Sequence, residues 1–485
     1  MSSTYAQRRR RDVIVALAIA ALVAGGGLVI YLTSAARAAD LQLAADRDLP
    51  QVNTSIPTSL SLAWTQRTDP AVGAAVSPAG VVAVGSEHEV RGLDIASGQQ
   101  RWSYTRSDRQ LCALTSGDSD NRKYDPSDHR FLRKGFSDRT ETDRLRGIVT
   151  GFRLDTSTDC PEIASFDPVT GGRVYSRTVA ASGPGSLFVE GPYGGWLSPH
   201  LVQLWRYDLV RSILYGDQPA PAEPGGETLG CEFTDTYVGV SRFATVQHCS
   251  GQSTAHVSIN YTDPHSKDKG WSAIVHPPII DIDTGASSAV LVGLTEDRVA
   301  VLIDSPTPQV VAYDFAGTAR TRTPAPVQSA AIRATEAAAG PSPRRITDTI
   351  SITWVGGTLI GMTTRTVTET APATTPPTTT GVTTAPLLGT TPSSTSAELS
   401  LTDQQTPVLA WTFTSTGLGA VVGSQILVPT SRGFAVIETT SGKIVRQISA
   451  PSADQARVDV SASSRGWFAT VSATGRVQAY RATTT

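Results

Sequence analysis

The chain has 485 residues, with 41 basic and 43 acidic side chains and a formal net charge of -2. This balance points neither to a nucleic-acid ligand nor to a strongly acidic partner, and we predict no nucleic-acid binding. After residue 50, Val, Thr, Ser and Gly outnumber the residues that favour helices, which predicts a protein of strands and turns.

The N-terminus has the pattern of a membrane anchor. Residues 1–12 contain the basic cluster Arg8–Arg11 and precede the apolar run Val13–Leu32. At about 1.5 Å per residue, this run is long enough to cross a hydrocarbon core of about 30 Å. Because basic flanks stay in the cytoplasm, we predict a single-pass cell-membrane protein with a cytoplasmic tail and an extracytoplasmic bulk.

A cleaved signal peptide is the alternative interpretation. Ala36-Arg37-Ala38 is similar to a cleavage site, but the apolar region of such peptides usually has about 7–15 residues. Both interpretations export the rest of the chain. The anchor interpretation divides it into a stalk at residues 33–57 and a single domain at residues 58–485.

The first segment of that domain reads as three strands joined by turns. The strands are Gly80–Gly85, Val90–Asp94 and Gln99–Tyr104. Between the last two, Asp94 accepts hydrogen bonds from nearby backbone groups and Gly98 supplies a left-handed conformation, which together close a tight turn.

The same turn recurs along the chain. Close copies run from Asp167 to Gly171 and from Glu438 to Gly442, and weaker copies are Trp205–Asp208, Val310–Asp314 and Gly475–Tyr480. Strand–turn units repeating roughly every 40 residues, without helices between them, are typical of β-propellers. The predicted fold is therefore an all-β propeller of seven or eight blades.

The two ends of the domain are predicted to share one blade. Leu60–Trp64 is a lone strand after the stalk, and the C-terminal strands Trp467–Ser472 and Val477–Tyr480 leave their blade incomplete. Joining the first and last strands removes free sheet edges. We therefore expect Leu60–Trp64 to complete the blade formed by residues 465–482.

Four cysteines, Cys112, Cys160, Cys231 and Cys249, lie in the domain. None belongs to a C-x-x-C pair, which argues against a zinc site. An even number in an oxidising compartment predicts two disulfides, for which three connectivities exist. We favour Cys112–Cys160 and Cys231–Cys249, because each pair flanks one strand–loop–strand segment; free buried thiols are the alternative.

The strongest repeat, Leu93–Trp102, resembles the PQQ-like repeat family, whose consensus is an apolar residue followed by Asp-x-x-Thr-Gly-x-x-x-Trp. In that family the tryptophan docks neighbouring blades, and the resemblance assigns this role to Trp102. The other copies depart from the family, with Tyr175, Thr321 and Arg446 at the equivalent place.

The chain also looks like a group of membrane-anchored PQQ-like propellers from high-GC Gram-positive bacteria. The similarity runs through Gln110–Cys112, Asp159–Cys160, Leu204–Arg211 and Gly230–Cys231. That group carries paired cysteines at matching places, which supports the favoured connectivity. The resemblance implies a fold and no particular reaction.

Two insertions interrupt the repeats. Gly117–Gly147 is a mixed-charge loop, either a solvated excursion or a site for a partner. Thr366–Ser396 is rich in Thr and Pro, cannot bury enough apolar surface to fold, and is either bare or O-glycosylated. Asp217–Thr228 and Thr323–Arg345 are predicted to be further loops.

The chain offers no motif for catalysis, for a cofactor or for a metal. Its seven histidines have no metal-ligand spacing, and a nucleophile elbow is missing. Gly417–Gly423 resembles a dinucleotide-binding loop, but a strand with a proline follows it. Adjacent cysteines and an Asn/Glu/Asp calcium set, as in quinoprotein dehydrogenases, are also missing, so we predict no cofactor.

Two functions fit this pattern. The first is a non-enzymatic scaffold that holds unidentified protein partners in the cell envelope. The alternative is a glycan-binding or glycan-processing module of the cell wall, and a quinoprotein-type oxidoreductase is a weaker third hypothesis. An enzyme or glycan-binding module would bring carboxylates or aromatic side chains together in the central channel, whereas a scaffold would use its rim.

Overall fold

The structure, a computed structural model, describes residues 2–33, 35–46, 55–116, 147–179, 183–190, 193–206, 209–217, 230–239, 242–262, 280–338, 340–346, 350–367, 404–450, 457–463 and 466–483. Nearly all of the two predicted insertions, Gly117–Gly147 and Thr366–Ser396, lies outside these residues, as does most of the predicted loop Asp217–Thr228.

Eight antiparallel sheets follow one another along the described residues, each forming one blade. Blade 1 consists of β1 (Ala39–Gln42), β3 (Ala74–Ser77), β4 (Val81–Gly85), β5 (Glu89–Asp94) and β6 (Gln100–Arg106). Blade 2 consists of β7 (Gln110–Ser116), β8 (Ile148–Arg153), β9 (Glu162–Phe166) and β10 (Arg173–Thr178). Blade 3 consists of β11 (Ser186–Glu190), β12 (Tyr193–Ser198), β13 (Leu201–Arg206) and β14 (Arg211–Gly216). Blade 4 consists of β15 (Cys231–Val238), β16 (Arg242–Cys249), β17 (His256–Tyr261) and β18 (Ile280–Asp283).

The remaining four blades follow the same plan. Blade 5 consists of β19 (Ala289–Leu294), β20 (Arg298–Ile303), β21 (Gln309–Asp314) and β22 (Ala319–Pro324). Blade 6 consists of β23 (Arg344–Ile346), β24 (Ile350–Val355), β25 (Thr358–Val367) and β26 (Gln404–Thr414). Blade 7 consists of β27 (Ala420–Val422), β28 (Gln425–Thr430), β29 (Gly433–Glu438) and β30 (Ile444–Ser449). Blade 8 consists of β31 (Val458–Ala462), β32 (Trp467–Ser472), β33 (Arg476–Ala482) and β2 (Leu60–Arg67).

The first strands of neighbouring blades contact one another, so they line the axis of the ring. We call the four strands of a blade A to D from the axis outward; β1 lies outside strand D of blade 1. Because successive strands are antiparallel, the D-to-A and B-to-C connections lie at one end of the ring, the DA face. The A-to-B and C-to-D connections lie at the other end, the CD face.

Eight apolar clusters hold the described blades together, one between each pair of neighbours around the ring. Strands packed on both faces are apolar over most or all of their length, as in β4 and in β20 after Arg298, and all the residues of these two strands are buried. A single blade could not bury both of its faces alone. The all-β propeller prediction is therefore confirmed, with eight blades.

The closure of the ring is also as predicted. β2 pairs with β33 from Leu60 opposite Ala482 to Arg67 opposite Arg476. Blade 8 takes three strands from the C-terminus rather than the two expected, since β31 pairs with β32 from Val458 opposite Ser472. The polar residue Asp459 interrupts this short strand, which weakened its strand pattern in the sequence.

The N-terminal segment consists of helices α1 (Ser2–Thr33) and α2 (Ala35–Ala38), followed directly by β1. No helix among the described residues is both long enough and apolar enough to cross a membrane. β1 lies within the segment that the sequence assigns to a stalk, yet it pairs with β6 as a fifth strand of blade 1. The carbonyl of Ala38 also accepts a hydrogen bond of 2.9 Å from the Ser107 backbone N–H.

The predicted loop Thr323–Arg345 is wrong in part, because it contains the helix α3 (Ser329–Glu336). Ile332 is fully buried in the cluster between blades 5 and 6, which orders this short segment. At the last turn, Glu336 accepts a hydrogen bond of 2.7 Å from Nε2 of His248, and this contact raises the pKa of His248. Burial of one face therefore stabilises a helix in a segment whose sequence shows no repeat pattern.

Candidate functional site

The axis of the ring is occupied by a stretch that we call the channel segment, residues 337–346, of which 339 is not described. It leaves α3 on the DA face and ends in β23. On the way, Gly340 approaches β11 so closely that a Cβ at this position would lie 2.7 Å from Ser186 Oγ. The segment therefore crosses the axis from blades 5 and 6 to blade 3 before it enters blade 6.

Asp235, on strand A of blade 4, fixes the channel segment. Its carboxylate accepts hydrogen bonds from the Ser342 backbone N–H and hydroxyl, at 2.9 and 3.0 Å. The Leu291 backbone N–H of blade 5 donates another at 3.0 Å. One buried carboxylate therefore links the inner strands of blades 4 and 5 to the chain that crosses between them.

Arg344, the first residue of β23, neutralises Asp235. Its Nη2 donates to both carboxylate oxygens at 2.8 and 2.9 Å. Its Nη1 donates to Glu190 at the end of β11, at 3.2 Å, and to the carbonyl of Thr236. The guanidinium also lies 4.8 Å from the centre of the Tyr237 ring. Its contacts therefore reach the inner strands of blades 3 and 4.

The three charged side chains are almost entirely removed from solvent, with exposed fractions of 2% for Arg344, 1% for Asp235 and 8% for Glu190. Burial raises the pKa of Glu190 to about 7, against the opposing effect of Arg344. Burial likewise raises the pKa of Tyr237 to about 12. The carboxylates keep the pKa of Arg344 above its ordinary value, so the guanidinium stays charged.

Arg345 extends the cluster to the opposite side of the axis. Its Nη2 donates to Ser461 Oγ at 2.6 Å and approaches the carbonyl of Val460 at 3.4 Å, both on strand A of blade 8. Two consecutive arginines of one inner strand thus connect blade 6 to blades 3, 4 and 8. This arrangement places two of the chain's own side chains across the axis of the ring.

The cluster contains the kinds of side chain that an acid–base site needs, but its carboxylates are not accessible to a substrate. Carboxylates do meet in the channel, which is what the glycan-processing alternative required. However, Asp235 accepts only from internal donors, and Glu190 is held by Arg344 and by the Val238 backbone N–H at 2.7 Å. A glycosidase needs a carboxyl group that reaches the bond to be cleaved. In the described channel, both carboxylates are instead committed to holding strands.

Sequence reasoning did not find this cluster. Glu190 is the one charged residue of β11, Asp235 lies in a strand of mixed polarity, and the sequence places Arg344 and Arg345 in a predicted loop. The available signal was an Arg-Arg pair between proline and isoleucine, and this pair begins β23. Among the described residues, no group of three or more His, Cys, Asp or Glu side chains could hold a metal ion.

Both disulfides have the predicted pairing. Cys112–Cys160 joins the first strand of blade 2 to the chain just before its third strand, with Cα atoms 6.1 Å apart. It passes over Gly151, where a Cβ would lie 2.4 Å from Cys160 Sγ. Cys231–Cys249 joins directly opposite residues of β15 and β16, with Cα atoms 3.9 Å apart. Each bond therefore closes one blade internally.

The repeated turns lie on the CD face. Asp94 accepts from the backbone N–H groups of Ala96 and Ser97 at 3.0 and 3.1 Å, and Gly98 has φ +70°. Asp167 accepts from Val169 and Thr170 in the same way, and Gly171 has φ +75°. In the third copy, Glu438 binds the Ser441 hydroxyl and Gly442 has φ +65°.

A tryptophan of the preceding blade packs on each of these three turns. The indole N–H of Trp102 donates to the carbonyl of Pro168 at 2.8 Å, and the ring lies against Gly171. Trp411 donates to Thr439 at 2.6 Å and packs on Gly442. Trp64 donates to Ile95 at 2.8 Å and packs on Gly98. Trp64 and Trp411 thus share the geometry of Trp102, although no repeat consensus precedes them in sequence.

Comparisons with known proteins add little to this geometry. No protein-family model matches the chain. No curated protein matches it in sequence either. A crystal structure of the computationally designed Ika8 protein is similar over 89% of this chain and 99% of its own, with 12% identity and a TM-score of 0.41. A crystal structure of the mitotic checkpoint complex is similar over 90% of this chain and 95% of the matched one, with 10% identity and a TM-score of 0.35. The eight-bladed ring accordingly rests on its own strand pairing and cores.

Proposed function

We propose that the protein is a non-enzymatic propeller of the PQQ-like type that acts as a protein-interaction scaffold in the cell envelope. The observation that carries this proposal is the occupied axis of the ring. Its axis is filled by the channel segment, whose Arg344 binds Asp235 at 2.8 Å in almost complete isolation from solvent. A ring without an open axial site has its rim and its two faces left for recognition.

The proposed location is the outer side of the cell membrane, with Val13–Leu32 as a retained anchor. Two disulfides suit an oxidising compartment. The Arg8–Arg11 cluster before the apolar run favours a cytoplasmic N-terminus.

The location is tested with intact spheroplasts and protease added outside. We expect digestion of the propeller and survival of a short N-terminal fragment that stays with the membrane. A mature chain that begins near Ala39 and is released in soluble form would contradict the anchor, and full protection from protease would contradict the extracytoplasmic location.

The scaffold role is tested by placing photo-crosslinking amino acids on the rim and in the channel of the full-length protein in living cells. Arg322 and Thr414 are exposed rim positions, and Ser342, which is buried against Asp235, serves as the matched channel control. We expect reproducible protein adducts from rim positions alone. If no position captures a protein, and wall fragments bind the purified chain and are cleaved by it, the glycan-processing alternative replaces the scaffold.

A further inference from the structure

The near-neutral net charge of the chain conceals an uneven distribution of charge across the blades. The D strands form the outer wall of the ring. In blades 1, 2, 3, 5, 7 and 8 these strands each contain one or two arginines and no acidic residue. Among the D strands only that of blade 4 is acidic, with Asp281 and Asp283; β1, which lies outside strand D of blade 1, adds Asp40. Four of the C strands, by contrast, contain acidic residues: β5 with Glu89 and Asp94, β9 with Glu162, β21 with Asp314 and β29 with Glu438.

Some of these arginines are neutralised within the fold. Arg106 is buried between Asp108 and Glu162, and Arg320 pairs with Asp314 at 2.6 Å. Six others form no salt bridge with a described residue: Arg67, Arg173, Arg177, Arg211, Arg322 and Arg446. The outer wall therefore keeps most of its positive charge.

Three of the six lie on neighbouring blades 2 and 3 and form what we call the outer basic strip: Arg173, Arg177 and Arg211. Arg173 and Arg211 are exposed at the start of their strands. Arg177 donates to the carbonyl of Leu209 at 2.6 Å, which ties the strip across the two blades without neutralising it. The strip thus presents three guanidinium groups on two neighbouring blades, one of them held in place by a backbone contact, and guanidinium groups favour phosphate oxygens.

Apolar side chains accompany the strip. Val174, next to Arg173, is 43% exposed, and Val210, next to Arg211, is 47% exposed. The large hydrophobic side chains that are well exposed in the described residues are all aliphatic, with no Phe, Tyr or Trp among them. Proteins that hold single-stranded nucleic acid stack the bases on aromatic side chains. The strip suits a chain that alternates phosphate with CH-rich sugar or polyol units.

We propose that the outer basic strip of blades 2 and 3 binds a flexible anionic polymer in which sugars or polyols are joined by phosphodiesters. A flat membrane is a poorer fit, because the remaining outer arginines lie around the circumference on blades 5, 7 and 8 and cannot face one plane together. The choice of an envelope polymer rests on the extracytoplasmic location proposed above, whereas the binding chemistry does not.

The test uses the full-length protein in uncharged detergent and poly(glycerol phosphate) as the probe. Three phosphate contacts on a flexible chain predict a loss of affinity of about 20-fold when salt rises from about 50 to 200 mM. The variant Arg173→Ser/Arg211→Ser keeps one contact, so its affinity should be lower and should fall only about threefold over the same range.

The matched control is Arg91→Ser/Arg432→Ser, which removes the same charge from positions outside the outer wall. We expect it to keep the salt dependence of the unchanged protein, and both variants to keep its melting temperature. Equal loss in the control, or no salt-dependent binding by the unchanged protein, overturns the proposal.

Two further probes decide the class of ligand. Tighter binding of oligothymidylate than of poly(glycerol phosphate) makes the strip a nucleic-acid site, and equal binding of anionic vesicles through Arg173 and Arg211 makes it a lipid site. Either result overturns the proposal. Spheroplast proteolysis tests the location separately. If external protease does not digest the propeller but polymer binding still depends on the outer basic strip, the proposed location is wrong and the proposed binding site is retained.

Discussion

Arg344 faces two buried carboxylates with a single positive charge. Asp235 takes the closer, two-oxygen contact, and Glu190 takes the longer one. A buried carboxylate without a full counter-charge is costly, so protonation of Glu190 relieves the cluster. This is the physical reason why the pKa of Glu190 rises while that of an ordinary glutamate stays near 4.5.

The pH dependence of stability follows from that shift. Because the pKa of Glu190 is raised to about 7 in the folded protein, its contribution to stability is complete below 4.5 and is lost as pH rises towards 7. The loss amounts to at most about 3 kcal/mol. We expect Glu190→Gln to become more stable relative to the unchanged protein as pH increases from 5 to 8, measured by urea unfolding.

His248 also has a raised pKa and weakens the protein in the same direction, so only the difference between variant and parent is informative. Glu87→Gln, at an exposed position, is the control and should leave the pH profile unchanged. A constant difference between Glu190→Gln and the parent from pH 5 to 8 would show that Glu190 is ionised throughout.

Trp411 is predicted to fasten blade 6 to blade 7. Trp411→Phe removes the N–H that binds the carbonyl of Thr439 and part of the ring that packs between Gly361 and Gly442. A buried carbonyl without a donor costs about 1–3 kcal/mol. We expect a loss of this size in urea unfolding. Thr414→Ala, an exposed change on the same strand, should stay within about 0.5 kcal/mol of the parent.

At the scale of elements, β25 and β26 form a hairpin, and the Thr/Pro-rich insertion lies in the connection between the two strands. Their pairing runs from Thr358 opposite Thr414 to Val367 opposite Gln404. The strands therefore stay paired as far as they are described.

Replacing residues 370–401 by a short Gly/Asn turn should leave the propeller folded, because loop-closure entropy changes slowly with loop length. Melting temperature and monomeric state are the measurements, with the parent as reference. A large fall in melting temperature would reveal that the removed residues pack against the ring.

The sequence predicted those elements whose pattern is local. Asp94 and Gly98 mark a turn by themselves, and the alternation of apolar strands with such turns is enough to indicate a propeller. α3 was missed because its eight residues carry one apolar anchor, Ile332, whose burial depends on two blades. β1 was missed because its strand character comes only from the edge of β6.

The candidate site could not be predicted from the sequence, for a different reason. Glu190, Asp235 and Arg344 come from three blades, and nothing in the sequence around any one of them indicates the other two. Only the closure of the ring brings inner strands from distant parts of the chain to one axis. Trp102 was found because its repeat preserves the consensus, whereas the long insertion separates β26, which contains Trp411, from β25.

At the scale of the molecule, stability depends on the pairing of β2 with β33. Deleting Leu60–Trp64 should expose the edge of β33 and the cluster between blades 8 and 1, giving a lower melting temperature and oligomers. Truncation after residue 464 should have the same effect. Size-exclusion chromatography and thermal melting test both, with Leu62→Ser as an exposed control.

If the variant without Leu60–Trp64 remains monomeric and melts at the parental temperature, the ring does not need its N-terminal strand. The present pairing makes that result unexpected, because the strand also carries Trp64, which fastens blade 8 to the first turn of blade 1.

The closing strand has a consequence for the time course of folding. Ser59 and Thr483 contact each other next to the paired strands β2 and β33, although 424 positions of the chain separate them. At roughly 5–20 residues per second, synthesis needs about 20–85 s to supply the partner of a strand that emerged at the start. During that interval blade 1 lacks blade 8 as a neighbour, and β2 stays unpaired. A chain built in this way needs protection from premature association until its last strand is synthesised. We therefore expect chaperones to be needed from the emergence of β2 until the final residues are made.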